Sequence, residues 1–333
     1  MLIENEKIFY GEEKLKYILE RSTKKSDYLL IIFSAFSASG KPAEYNYYNT
    51  VAKFDCNKLF ILDDQNGDGC YYLGHQRDFS VERSVIKLID YICDEVGVKR
   101  QNIMTCGSSK GGYASLYFSI KYNFGHAVVC APQSLLGDFL SISKTKTLNY
   151  IAGDKPDSRD YLNRLLFDVV DKTDRFPEIV IHVGEGDYHY KDHALPLIKA
   201  IEKRGGKATL TIGDFTSHNE VSFYQRLLKQ KIKEHIKDYQ IKNDWPDITG
   251  FQCTMKSGVD GNHIESSVEA TGNNLMFAWY IFKDEQRIHS EWYKENPTFK
   301  FTVDEPGKYR IQSFTKNKYG NIDVETSDYF YVQ

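Results

Sequence analysis

Residues 102–113, NIMTCGSSKGGY, decide how this chain is read. Asn102 to Cys106 is a short apolar run with the length of a buried strand, and Gly111 to Tyr122 (GGYASLYFSIKY) reads as a helix. Between them, Gly107-Ser108-Ser109-Lys110-Gly111 matches G-x-S-x-G. A strand, a sharp turn and a helix in that order lift a serine hydroxyl above a sheet edge. Small residues two positions either side of Ser109 let strand and helix approach closely. The amide of Lys110 then points at the oxygen that would become negative in a tetrahedral intermediate.

Working outward, Tyr28 to Phe33 (YLLIIF) and Lys58 to Leu62 (KLFIL) are continuous apolar runs, the pattern of strands covered on both faces. Ser80 caps a helix to about Val96, with Val85, Ile89, Ile92, Cys93 and Val96 on one stripe. Further strands are expected at HAVVC (126–130), EIVIHV (178–183) and ATLTI (208–212), with helices from His193 to Arg204 and from Asn219 to Tyr239. Residues 12–23 carry Leu15, Ile18 and Leu19 at helical spacing and are expected as a helix. Strands alternating with helices predict an α/β fold, a parallel sheet with helices on both faces.

Residues 134–176 interrupt this rhythm with two helical patches, SLLGDFLSI and DYLNRLLFDVV, around a polar stretch. An insertion of that length after a core strand suits a lid or substrate-binding excursion, with plain packing as the alternative. At Asp244-Trp245-Pro246 the pattern changes again. Six short alternating segments follow, FQCTM, HIESSVEA, LMFAWYIF, TFKFTV, KYRIQSF and DYFYV, divided by turn signals. They predict a small β-sandwich of immunoglobulin or fibronectin type. The expected organisation is a catalytic domain over 1–243, with 134–176 as its insertion, and a sandwich over 247–333.

A serine becomes a nucleophile when a base, itself held by an acid, takes its proton. In sheets of this kind the acid follows a late strand and the histidine follows the last one. Gly184-Glu185-Gly186-Asp187 follows EIVIHV, and His218 lies in the segment after ATLTI. Ser109, Asp187 and His218 are therefore the expected triad, with Asp192 as the reserve acid. His126 and His182 fall inside core strands, while His235, His263 and His289 read as surface residues. The oxyanion donors are expected to be the amides of Lys110 and of Ala35 or Phe36, in the loop after the first core strand. The aromatic run Tyr45-Asn46-Tyr47-Tyr48 could stack on a sugar or cover the sheet edge.

No metal is expected. Asp64-Gln65-Asn66-Gly67-Asp68-Gly69 fits the front of a calcium loop, but position twelve is His75, where a carboxylate is required. Asp187, His189, Asp192 and His193 are dense in donors but lack a zinc motif. Lysine plus arginine number 43 against 46 acids, so no nucleic-acid or anionic-membrane partner is expected. Six scattered cysteines without C-x-x-C pairs, no secretory leader pattern and no long apolar run lead to the expectation of a cytoplasmic protein.

IMTCGSSKGGYASLYF, the following VVCAPQ, the GEGD turn and the SHNEV segment together resemble bacterial α/β-hydrolase-type proteins of surface-glycan pathways. That group includes capsule O-acetyltransferases, capsular-polysaccharide biosynthesis proteins and the acetylating accessory factor of the serine-rich glycoprotein secretion system. The resemblance spans roughly residues 25–240. It implies Ser109, Asp187 and His218 as triad and acyl transfer to carbohydrate hydroxyls. The implied donor is acetyl-CoA, with no resident cofactor and with a glycan acceptor and other glycan-biosynthesis proteins as partners. The C-terminal segment resembles immunoglobulin-like or triple-tyrosine sandwich domains. An esterase or deacetylase with the same triad is the rival reading, and a non-catalytic glycan-binding or assembly protein a third.

Overall fold

A computed structural model of the protein describes residues 5–37, 41–213, 215–216, 218, 221–241, 253–270, 274–316 and 322–332. Two compact bodies divide the chain. The first comprises Met1–Tyr48, Asp55–Tyr224 and Gln230–Gln240; the second comprises Asn49–Phe54, Gln225–Lys229 and Ile241–Gln333. The expected boundary at residues 244–246 lies outside the described residues.

The chain opens with strands β1 (Glu6–Tyr10), β2 (Lys14–Glu20) and β3 (Leu29–Phe33), then the single-turn helix α1 (Tyr48–Val51). The two-residue strand β4 (Phe54–Asp55), β5 (Asn57–Ile61) and α2 (Ser80–Val96) follow. Strand β6 (Ile103–Ser108), helix α3 (Lys110–Lys121) and strand β7 (His126–Cys130) form the centre. After them come α4 (Leu136–Ser143), α5 (Thr145–Ala152) and α6 (Ser158–Lys172), the three helices of the insertion. Strand β8 (Glu178–Gly184), α7 (Leu195–Lys203), β9 (Ala208–Gly213), α8 (Val221–His235) and the short β10 (Gln240–Ile241) complete the series.

Eight of these strands form one sheet in the order β1-β2-β5-β3-β6-β7-β8-β9. From β5 to β9 every pairing is parallel. Their apolar runs are buried because helices cover both faces: every residue of β3, β5 and β6 is shut off from solvent. Parallel strands end together, so the loops after β3, β6, β7, β8 and β9 share one edge of the sheet.

The expected helix over 12–23 is a strand instead. Residues 14–20 (β2) pair antiparallel with β1 on one side and β5 on the other. Leu15 and Tyr17 alternate into the core as Ile18 packs on the opposite face. Without β2, β5 would present a bare edge of unpaired amides and carbonyls next to the core. That hydrogen-bonding demand outweighs the local spacing, and the sheet is mixed rather than wholly parallel. Helix α2 begins at Ser80, but its N-cap is Phe79 in a left-handed conformation. Asp78 Oδ1 accepts the Ser80 amide at 2.9 Å and takes the capping part expected of the serine.

The second body contains β11 (Cys253–Asp260), β12 (His263–Ala270), β13 (Met276–Lys283), β14 (Gln286–Lys294), β15 (Thr298–Thr302), β16 (Gly307–Lys316), β17 (Ile322–Thr326) and β18 (Phe330–Val332). One sheet runs β11-β12-β15; the other runs β14-β13-β16-β17, with β18 also on β16. All pairings are antiparallel. The core between them holds Ile264, Val268, Trp279, Ile281, Phe299 and Ile311, with Trp279 stacked on Phe299 at 5.5 Å. Strands β14 and β17 exceed the six segments expected. β14 (QRIHSEWYK) is half-exposed along its length and carries no apolar run to announce it. Among the described residues, no helix is long and apolar enough to cross a membrane.

Candidate active site

The turn between β6 and α3 holds Ser109 at φ 53°, ψ −118°, a conformation that costs an L-residue about 1–3 kcal/mol. The glycines permit it. A Cβ on Gly107 would lie 2.6 Å from the carbonyl carbon of Gly111, and one on Gly111 would strike the carbonyl oxygen of Phe33. Side chains at either position would push α3 off the sheet and relax the turn. Ser109 becomes the N-cap residue of α3, and the Lys110 amide opens the helix, where amides lack intrahelical partners. Neighbouring Ser108 is occupied otherwise: its Oγ accepts from Tyr47 Oη at 2.7 Å.

Asp187 follows β8 and His218 follows β9, and the structure brings the two together: His218 Nδ1 lies 3.1 Å from Asp187 Oδ2. The other carboxylate oxygen is also taken. His189 Nδ1 reaches Asp187 Oδ1 at 2.7 Å, and the His189 amide donates to the same oxygen at 2.9 Å. The two imidazoles stack, centroids 4.0 Å apart and planes 17° from parallel. Asp192, the reserve acid, is exposed.

This arrangement sets the charges. Burial opposes ionisation of Asp187, but hydrogen bonds from His189 and His218 outweigh it and hold the carboxyl well below the usual range. An ionised carboxylate only accepts, so both Nδ1 atoms carry protons. His189 is pushed down chiefly by its burial, against the pull of Asp187. His193 behind it is pushed down to about 4, by burial and then by the nearby His189. Of the stacked pair, His189 is wholly buried and His218 partly exposed.

Sequence reasoning missed Gln133 and gave His189 no part in the triad. Gln133 Oε1 accepts from Tyr71 Oη at 3.1 Å, which turns its amide nitrogen toward both Ser109 Oγ and His189 Nε2, the latter at 3.3 Å. One continuous path of polar contacts thus runs Ser109, Gln133, His189, Asp187, His218. The only sequence signal for Gln133 is its place just past the end of β7, at the edge where Ser109 sits.

The loop after β3 is less open than expected. The Ala35 amide donates to Asn46 Oδ1 at 2.6 Å and is therefore committed within the fold, a correction to its expected oxyanion role. Phe36 is the remaining candidate from that loop. The 45–48 run packs against the fold while Tyr48 stays exposed: Tyr45 bonds Glu6 at 2.7 Å, Tyr47 packs edge-on against Tyr224, and Tyr48 packs on Phe60. The acidic loop 63–69 is tied up by lysines. Asp63 pairs with Lys110, Asp64 with Lys16 and Asp68 with Lys144.

The insertion starts at the site. Ser134 Oγ donates to the His193 carbonyl at 2.7 Å, and the Leu135 amide donates to His193 Nδ1 at 3.2 Å. From α4, the Phe139 ring stands 5.9 Å from His189 and 6.4 Å from His193. Asp187, His189 and His218 could in principle gather around a cation. Their 2.7 and 3.1 Å contacts are at hydrogen-bonding distance, so the cluster is held together without an ion.

No family model matches this sequence, and no curated protein matches it. Solved structures do. A capsule O-acetyltransferase of Neisseria meningitidis serogroup A, a mutant in complex with CoA, superposes with TM-score 0.61 at 20% identity over 69% of this chain and 96% of its own. A glycosylation-associated Gap123 complex from Streptococcus agalactiae gives 0.59 at 15%, over 73% of this chain and 47% of that one. FphF, a fluorophosphonate-binding serine hydrolase of Staphylococcus aureus with substrate bound, gives 0.52 at 16%, over 68% and 92%. At such identities the likeness is one of fold: a mixed, mostly parallel α/β-hydrolase-like sheet with helices, joined in this chain to a small C-terminal β domain.

Proposed function

We propose that the protein is a serine-nucleophile O-acyltransferase that moves an acetyl group from acetyl-CoA to a hydroxyl of a bacterial surface glycan or its precursor. The observation that carries this reading is Ser109 on its strained turn, at the same sheet edge as the Asp187–His218 pair. The capsule O-acetyltransferase crystallised with CoA supports donor and acceptor class, and the glycosylation-associated complex supports a setting among glycan-modifying proteins. With that donor the reaction belongs in the cytoplasm.

In the proposed reaction Ser109 Oγ attacks the thioester carbon while His218 Nε2 takes its proton. The amides of Lys110 and Phe36 receive the negative oxygen. Collapse breaks the C–S bond, and His218 returns the proton to the leaving thiolate. A sugar hydroxyl then gives its proton to His218 and attacks the acetyl carbon, and Ser109 leaves with that proton. Asp187 keeps His218 in the tautomer this needs and offsets the charge of its imidazolium. Gln133 orients the Ser109 hydroxyl between turns of the cycle.

Hydrolysis is the second reading, since the substrate-bound serine hydrolase shares the fold. Water would then replace the sugar, with the same residues in the same roles. Intact-protein mass spectrometry after mixing with acetyl-CoA tests the reading. One acetyl group should appear on the protein, be absent in Ser109→Ala and be discharged by acceptor glycan. A wild-type protein that neither acquires the acetyl group nor consumes acetyl-CoA would sink the transferase reading. Acetate as the sole product at saturating acceptor would leave the esterase.

A further inference from the structure

At the opposite edge of the sheet lies a second cluster that the proposed reaction does not use. His126 is the first residue of β7 and Glu178 the first of β8, and the two are direct register partners. Partners in register project to the same sheet face. Helix α8 crosses that face and ends at His235, expected from sequence on the surface but turned inward against the other two. His235 Nε2 lies 3.4 Å from Glu178 Oε1, His126 Nδ1 lies 3.5 Å from Glu178 Oε2, and the imidazole centroids are 4.5 Å apart.

Both separations are longer than an ordinary N–H···O hydrogen bond. Both nitrogens are buried, and neither has a hydrogen-bond partner among the described residues. Buried imidazole nitrogens aimed at a carboxylate they do not bond suggest an absent common partner. Ligand atoms about 2.0–2.2 Å from a tetrahedral ion stand roughly 3.3–3.6 Å from one another. Each histidine nitrogen stands in that interval from one Glu178 oxygen, His235 from Oε1 and His126 from Oε2, and one donor atom from each of the three residues lies within 4.8 Å of the others. In the Asp187 cluster, by contrast, the contacts are at hydrogen-bonding distance.

We propose that His126, Glu178 and His235 bind a single zinc-class divalent cation that clamps the last turn of α8 to the starts of β7 and β8. Two neutral imidazoles and one carboxylate suit a borderline ion such as Zn²⁺; Ca²⁺ and Mg²⁺ prefer all-oxygen shells. Glu178 is half exposed and lines an open surface cleft with Lys207 and Thr209. The three ligands come from separate parts of the chain, so no spacing motif marks them.

The test uses the full chain, stripped with a chelator and titrated with Zn²⁺ at neutral pH by calorimetry and thermal melting. One equivalent should bind, and the melting temperature should rise by roughly 5–10 °C at a hundredfold excess over Kd. His235→Gln and Glu178→Gln should each weaken binding by at least about a hundredfold, since loss of an outer partner alone costs about 10–100-fold. Without zinc, Glu178→Gln should melt close to the wild type, because among the described residues the exposed carboxylate makes no contact beyond the two long ones to His126 and His235; this variant covers the case in which His235→Gln fails to fold. Zinc binding lost in His218→Ala but kept in Glu178→Gln would move the ion to the other cluster and overturn the proposal. Absence of binding, or binding indifferent to all three variants, would overturn it as well.

Discussion

Lys110 Nζ lies 3.0 Å from Asp63 Oδ2, and both side chains are closed off from solvent. Lys110 also donates to the Asp63 carbonyl at 3.1 Å, and both Asp63 carboxylate oxygens lie 2.9 Å from the Cys70 amide. The residue after Ser109 is thereby anchored to the chain just past β5. A buried pair of this kind is a poor source of net stability, but losing one partner strands a charge.

Removing either member alone should therefore be severe. Lys110→Met and Asp63→Leu are each expected to cost about 3–5 kcal/mol, and the double variant less than the sum of the two. Urea unfolding of the four proteins measures this. Additive losses would show that the two residues act independently.

Ser109 separates stability from activity. Ser109→Ala should fold like the wild type and lose acyl turnover by about 10⁴–10⁶. Ser109→Gly should be equally inactive yet more stable by roughly 1 kcal/mol, because glycine adopts φ 53°, ψ −118° without strain. An unfolding midpoint for Ser109→Gly at or below that of Ser109→Ala would mean the turn is not strained.

His193 predicts an acid-labile window. Its value is about 4 in the folded protein, against about 6.5 when unfolded. Between those limits the unfolded chain binds a proton that the folded one refuses, so stability rises with pH through the window. It is complete above pH 6.5 and falls by roughly 3 kcal/mol as the pH drops toward 4. His189 is shifted the same way, whereas Asp187, depressed below the carboxylate range, acts only at more acid pH. His193→Gln keeps an acceptor for the Leu135 amide and should flatten the loss between pH 6.5 and 4. Chemical denaturation across that range checks it.

Phe139 tests the insertion as a lid. Leu136 and Leu140 are buried, so deleting α4 would damage the core; Phe139 is only partly buried and faces the histidines. In Phe139→Ala the ratio of free acetate to acetylated glycan, from one donor pool, should rise several-fold as water gains access. An unchanged ratio would leave α4 a packing element.

What could be read from sequence was local. The elbow, the strands flanking it and the slots holding Asp187 and His218 follow from apolar runs, glycine pairs and chain order, all of which act over a few residues. β2 was unreadable because its conformation answers to the edge of β5, some forty residues on. β14 was hidden because a half-exposed strand needs no apolar pattern. The second imidazole on Asp187 and the amide of Gln133 beside Ser109 exist only because parallel β6, β7 and β8 end at one edge. At the other edge the same register, with the end of α8, brings His126, Glu178 and His235 together. Local chemistry chose the strands and the turns. Only strand order and register decided which side chains meet, because hydrogen-bonded strands put distant residues within a few ångströms.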